Sequence, residues 1–260
     1  MIEELLPDSV VTVEAHGDDA AGGATLYPEE AAQAAPFVPK RRAEFAAVRA
    51  CARRAMEKLG VPAQPVPRGA SGAPVWPSGL IGSMTHCPGY CAASLTRATD
   101  LASLGIDAET HEELPEDVID QVALPTESDR LRGLAVRHPS VHWDRLLFSA
   151  KESVYKAWFP LTGQWLGFFE ADIELFTDSG VERRGPDGRG LDGRSSLERK
   201  DLEEPGAGPW GPARSGGFRA ELLVPGPLVG GRRIEIFDGR WTIRRGLVAT
   251  AVAVPHAVRG

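Results

Sequence analysis

The chain of 260 residues predicts an α+β fold with mainly antiparallel sheet, on three observations. Two segments, 40–60 and 148–159, repeat apolar residues at helical spacing. Several short apolar runs read as strands, and Gly/Pro-rich stretches separate them. No internal repeat is visible in the sequence.

Residues 1–39 are acidic and Ala/Pro-rich, with one short strand expected at 10–15. The basic segment 40–60 follows as a helix. Phe45, Val48, Ala52, Ala55, Met56 and Leu59 form its apolar stripe, and Gly60 with Pro62 stops it. Arg42, Arg49 and Arg53 fall along one flank of that stripe. Residues 62–91 read as loop broken by short strands, with Thr85 and His86 after a glycine-containing turn. "CAASLTRA" and "LASLGIDAE" are the next strands, and 112–145 is polar and helical. The helix 148–159 buries Ala150, Val154, Ala157 and Trp158, with Glu152 and Lys156 one turn apart beside that stripe. Trp76, Trp158 and Trp165 are expected in the core. "FFEADIELF" reads as a strand, and so do "FRAELLV", "RRIEIF" and "WTIRRGLVATAVAV". Between them, 180–217 is saturated with Gly, Pro and charge and reads as a mobile insertion, having too little apolar surface to offset the entropy of ordering.

A net charge of −7 gives no support to nucleic-acid binding. Yet residues 40–60 hold seven Lys or Arg against two Glu, a local surface suited to a compact anion. Three cysteines make no disulfide framework and suit a reducing compartment. No signal peptide or membrane span is read, so the expected location is cytoplasmic.

Two stretches carry candidate chemistry. In "GIDAE", Asp107 and Glu109 stand two apart on a strand and share a face, opposite Ile106 and Ala108. Carboxylates about 6 Å apart repel by roughly 2–3 kcal/mol at an effective dielectric near 20. A hard divalent cation turns that repulsion into attraction, and Glu152 becomes a third ligand if its helix packs against this strand. His86, Cys87 and Cys91 fit structural zinc poorly, with adjacent ligands and no second pair, and the cysteines read as small buried residues.

In order, "KRRAEFAAVRACARRAMEKLG", "PRGASGAPVWPSGLIGSMTHC", "GIDAE" and "FSAKESVYKAWFP" closely resemble the 4′-phosphopantetheinyl transferases of the surfactin and enterobactin-synthetase type, particularly actinomycete ones. The resemblance runs over about 36–176 and again through the C-terminal strands. It implies a holo-[acyl-carrier-protein] synthase, which moves the phosphopantetheine arm of coenzyme A to a serine of an acyl or peptidyl carrier protein. It also implies two related α+β halves forming a pseudo-dimer within a single chain, 1–103 and 104–260, with coenzyme A in the cleft between them. Mg²⁺ would be held by Asp107, Glu109 and Glu152. Glu152 would also help deprotonate the serine, and Lys156 would neutralise the phosphate. The leaving group is adenosine 3′,5′-bisphosphate, whose 3′-phosphate is met by Arg41, Arg49, Arg68 and His86, with Thr85 in the same loop. Where relatives commonly carry another Lys this chain has Ser71, so one phosphate contact is expected to be either missing or replaced, with Arg42 or Arg53 as the candidates. Lys151 reads as a surface charge or a phosphate contact.

Two other classes compete. One is a metal-dependent phosphohydrolase acting on coenzyme A or a nucleotide, and the other a non-catalytic carrier-binding module. The presence of all three carboxylates and Lys156 argues against the second. For carrier docking the expected rim lies between Glu112 and Trp143, with Arg130, Arg132 and Arg137. A monomer is the default, because both halves lie in one chain.

Overall fold

A computed structural model describes residues 1–17, 24–178 and 214–256. Its architecture is mixed α+β, built on two antiparallel sheets that each carry one long helix. The first sheet has strands β1 (Val11–His16), β2 (Leu80–Cys87) and β3 (Tyr90–Arg97), in the order β1-β3-β2. After a short helix α1 (Pro28–Ala34), the basic segment forms α2 (Pro39–Lys58), with proline in its first turn and Gly60 beyond its end at φ +71°. The predicted stripe is buried as expected: Val48, Cys51, Ala52, Ala55 and Met56 pack on Val13, Cys91, Ala93 and Leu95.

The second sheet begins with β4 (Ser103–Thr110). Helices α3 (Glu116–Val122), α4 (Pro125–Arg137) and α5 (Trp143–Thr162) follow, then β5 (Ala171–Thr177), β6 (Arg214–Leu222) and a small hairpin, β7 (Leu228–Val229) with β8 (Arg232–Arg233). Strands β9 (Ile236–Arg244) and β10 (Leu247–Val254) complete it, in the order β4-β10-β9-β6-β5. Arg245 and Gly246, both at positive φ, turn the chain between β9 and β10.

The two sheets meet at β2 and β4 without a backbone ladder. Instead, the Ser83 hydroxyl accepts from the Ile106 amide at 3.0 Å and the Thr85 hydroxyl from the Ala108 amide at 3.0 Å. Beneath this seam lies one shared apolar layer, with Ile2 and Tyr90 against Leu104, Ile106, Ala108 and Ala249. On the other face of β4, α5 comes to backbone contact. A Cβ at Gly105 would stand 1.9 Å from the Ser153 carbonyl oxygen and 2.7 Å from the Ala157 nitrogen. Only glycine permits that approach, which brings Glu152 and Lys156 over Asp107 and Glu109.

Several expectations need correction. Thr85 and His86 lie within strand β2, an eight-residue element, and the turn comes after them, with Gly89 at φ +73°. Residues 214–217, read as part of the insertion, belong to β6. Their glycines make room for aromatic rings: a Cβ at Gly216 would lie 2.6 Å from the Trp241 indole, and one at Gly217 2.5 Å from the Phe176 ring. The rest of that insertion, 180–213, lies outside the described residues. "RRIEIF" is split, with Arg232–Arg233 in β8 and the long strand starting at Ile236. Trp165 is 71% exposed rather than core, and Trp76 is only half-buried.

Lys151 is neither a surface charge nor a phosphate contact. It is buried, donating to the Phe168 and Ala171 carbonyls and pairing with Glu127 at 2.8 Å. Glu127 in turn accepts from the Leu124 and Ile173 amides, so the pair ties α5 to α4 and β5. Among the described residues, no helix is long and apolar enough to cross a membrane.

Two outcomes are expected. Gly105→Ala must push α5 off β4 and should cost about 2–3 kcal/mol in urea unfolding, with a midpoint equal to the parent's counting against the close approach. Lys151→Met leaves the Glu127 carboxylate buried without its cation and should cost about 3–5 kcal/mol by the same measurement.

Candidate active site

On β4 the even spacing of Gly105, Asp107 and Glu109 sets all three toward α5, as the alternation of strand side chains predicts. Asp107 is 4% exposed. Its Oδ1 accepts from the Lys156 ammonium at 2.7 Å and from the Thr85 hydroxyl at 3.2 Å. Its Oδ2 is buried and has no hydrogen-bond partner among the described residues. Glu109 meets Arg145 at 3.4 Å. Arg145 lies in the first turn of α5 and also donates to the Glu112 and Glu113 carbonyls, each at 3.0 Å. Sequence reasoning missed this residue. No spacing rule links it to Glu109, and only the packing of α5 brings the two together.

The electrostatics of this end are those of crowded carboxylates. Burial, and then Asp107, push Glu109 up to about 7. The same two causes, opposed by Lys156, raise Glu152. Burial alone would pull the Lys156 ammonium down, but Asp107, Glu152 and Glu109 outweigh it and hold the pKa above the ordinary lysine value. Carboxylates held above their usual range, beside a buried oxygen with no partner, are what a hard divalent cation satisfies. By donor chemistry, Asp107, Glu109 and Glu152 fit such an ion. Among the described residues, however, no three His, Cys, Asp or Glu side chains converge into a closed metal cluster.

Asp107, Glu109 and Glu152 line a cavity of about 600 Å³, within the range of small-molecule sites. Arg41, Arg49, Arg68 and His86 line the same cavity, as do Lys156 and Thr85. All the site residues expected from sequence therefore border one space. Arg49 is 3% exposed, stacked on the Phe45 ring with its guanidinium carbon 3.2 Å from the ring centroid. Its Nε donates to the Val66 carbonyl at 2.9 Å. Burial lowers it to about 10, Glu30 opposing and Arg68, Arg53 and Arg41 assisting, so it stays a cation at neutral pH. Arg41 donates to His86 Nε2 and pairs with Glu44 at 3.4 Å. Burial, then Arg41, lower His86, which favours its neutral form. Gly72, at φ +80°, leaves room for Arg68, whose guanidinium would stand 2.8 Å from a Cβ there.

Some expected roles are displaced. The Thr85 hydroxyl, buried at 3% exposure, accepts from Ala108 and donates to Asp107, so it orients the carboxylate. Arg42 donates to the Ala34 and Ala35 carbonyls and Arg53 to Glu30, so neither supplies the contact expected near Ser71. Cys91 touches Cys51 at 3.8 Å in the core under α2, while Cys87 packs on the opposite apolar layer, so neither joins His86 at one point. Burial first, then Glu109, push the Cys87 thiol up to about 12. On α4, Arg130 pairs with Asp172 and Arg132 with Asp129, which neutralises much of the rim read as a docking surface.

Two family models match in tandem: a 4′-phosphopantetheinyl transferase N-terminal domain over residues 29–96 and the 4′-phosphopantetheinyl transferase superfamily over 103–203. The chain is 48% identical over 255 residues to 4′-phosphopantetheinyl transferase Svp of Streptomyces mobaraensis, covering 98% of this chain and 89% of that protein. It is 41% identical to PptT of Mycobacterium tuberculosis, over 89% of this chain and 87% of that one. With Npt of Nocardia iowensis the identity is 40%, over 97% and 99%. Cavity, motif order and similarity along nearly the whole length agree, and the chain belongs to the 4′-phosphopantetheinyl transferase family.

Proposed function

We propose that this enzyme transfers the 4′-phosphopantetheine arm of coenzyme A to a serine of acyl or peptidyl carrier proteins, with Mg²⁺, releasing adenosine 3′,5′-bisphosphate. The observation that carries the reading is a single cavity whose lining combines three carboxylates and an ammonium (Asp107, Glu109, Glu152, Lys156) with three guanidinium groups (Arg41, Arg49, Arg68). Coenzyme A offers matching groups, with a diphosphate to be handled by the carboxylates through a cation and a 3′-phosphate suited to the guanidinium groups. The cavity is bordered by α2 and β2 on one side and by β4 and α5 on the other, which supports two α+β halves, 1–103 and 104–260, enclosing coenzyme A. Because both walls come from one chain, a monomer suffices. Carriers of fatty-acid, polyketide or nonribosomal-peptide synthesis are the fitting acceptors.

In this mechanism the serine hydroxyl forms a bond to the pantetheine-side phosphorus, and the bond from that phosphorus to the bridging oxygen breaks. A cation held by Asp107, Glu109 and Glu152 would supply charge neutralisation at the diphosphate. Glu152 accepts the serine proton from its place beside the other carboxylates and Lys156 on the cavity wall. Lys156, kept protonated by Asp107, neutralises charge that shifts onto the leaving phosphate. Arg49, Arg68, Arg41 and His86 take the 3′-phosphate and so fix the donor in line. Such transfer asks the protein chiefly for positioning and charge stabilisation.

Intact-mass analysis of an apo acyl carrier protein, incubated with enzyme, coenzyme A and Mg²⁺, should show one added phosphopantetheine, lost when EDTA is present. Hydrolysis of coenzyme A with every carrier unmodified would instead indicate the phosphohydrolase. Glu152→Gln should lower the transfer rate by about 10²-fold or more, with the fold unchanged by circular dichroism. A pH dependence follows from Glu109. Its folded-state value of about 7, above the ordinary 4.5, means the folded protein holds a proton there that the unfolded chain has released. Without cation, its contribution to stability is therefore full below about pH 4.5 and is lost as pH rises through about 7. A bound cation takes the place of that proton. The gain in Tm from Mg²⁺ over EDTA should widen between about pH 6 and pH 8; a constant gap would remove Glu109 from the ligand set.

A further inference from the structure

Glu30 is a fully buried carboxylate, at 0% exposure, and nothing above gives it a role. It stands in the first turn of α1, where its Oε2 accepts from the Tyr27 amide at 2.9 Å. The same carboxylate reaches across to the opposite wall of the basic end. Oε1 accepts from the Val66 amide at 2.8 Å, Arg53 donates to Oε2 at 3.1 Å, and Arg49 Nε lies 3.9 Å from Oε1. Residue Val66 is thus gripped from both sides, its N–H by Glu30 and its C=O by Arg49. Arg49 borders the cavity, and Glu30 does not.

This geometry is costly unless it holds something in place. Arg41, Arg53 and Arg68 all act on Arg49 with repulsive charge, and Glu30 is the carboxylate that counters them. In a dry setting, removing one partner of such a cluster leaves the remaining charge uncompensated. Arg49 also has few ways to move. Phe45 lies under its plane, its Nε is held by Val66, and its NH1 donates to the Phe45 carbonyl at 3.3 Å. Glu30 fixes the residue whose carbonyl fixes the guanidinium.

We propose that Glu30 is a positioning residue for the anion end of the cavity, acting through Arg49 and Val66 to set the enzyme's preference for a donor that carries a terminal phosphate. The inference rests on the reading that this end takes the 3′-phosphate of coenzyme A. A carboxylate that merely closes α1 onto the 61–74 segment would also shift Arg68, which Gln33 of α1 holds by its backbone, so its effect would persist after Arg49 is removed. One that aims Arg49 affects donors with a phosphate for Arg49 to meet, and loses that effect once Arg49 is gone.

The test compares coenzyme A with 3′-dephospho-coenzyme A as donors to one apo acyl carrier protein, for the parent enzyme and for Glu30→Gln. The amide keeps the shape and removes the charge. In Glu30→Gln the KM for coenzyme A should rise about tenfold, the size of one charge-assisted hydrogen bond, with less than about a twofold change for the dephospho donor. In an Arg49→Met background the Glu30→Gln effect on that ratio should vanish, since the group it acts through is gone. If Glu30→Gln fails to fold, Glu30→Asp keeps the charge, shortens the reach, and should give the same donor-selective rise. An equal rise for both donors, or no change in either, overturns the assignment while leaving the transferase reading intact. A parent enzyme that transfers from both donors with equal KM overturns the phosphate reading of this end, and the assignment with it.

Discussion

Everything in the cavity depends on how strand β4 is held. One edge pairs with β10, and the other is met by two hydroxyls of β2, so that β4 belongs to the second sheet and is bound to the first as well. Its far face has a glycine where α5 crosses, and the helix backbone rests directly on the strand. Three elements thereby converge within hydrogen-bonding reach of Asp107. Thr85 comes from β2, Lys156 from α5, and the carboxylate itself from β4. A larger residue at Gly105 or a missing hydroxyl at Ser83 or Thr85 would move that meeting point. The apolar layer below, shared by both sheets, keeps the seam dry and the hydrogen bonds strong.

The polarity of the cavity follows from two local decisions of the chain. A strand spaces two carboxylates two residues apart, and a helix packs a third and an ammonium above them. At the other wall a basic helix runs beside a segment that brings in Arg68. The basic helix does not present all its charge to the cavity. Arg42 is consumed by carbonyls and Arg53 by Glu30, leaving Arg41 and Arg49 facing inward. The density of positive charge along α2 is therefore larger than the charge that borders the cavity.

Much of this was legible in the residues. The helical stripe of α2 and the buried face of α5 follow from period alone, and both are buried where expected. The shared face of Asp107 and Glu109 follows from strand alternation. Misreadings cluster where glycine has two uses. Gly216 and Gly217 look like loop residues, yet they sit in a strand because Trp241 and Phe176 occupy the space of their side chains. Gly105 looks like an ordinary strand residue, yet it sets the distance between helix and sheet. Lys151 carries the same charge as Lys156 five residues on, but it faces the α4 side and is paired in the core.

By itself, then, the sequence determined what depends on neighbours along the chain: the periodic helices, the alternation that pairs the carboxylates, the concentration of positive charge before Gly60, and the motif order that marks the family. Tertiary structure alone decided which charged groups meet. Arg145 reaches Glu109, Glu30 reaches Val66 and Arg53, and Thr85 turns to Asp107, all across separations that no local pattern encodes. The physical reason is that a buried charge finds its partner by packing. The identity of that partner is set by which backbones can approach each other, and for α5 on β4 a single glycine governs that approach.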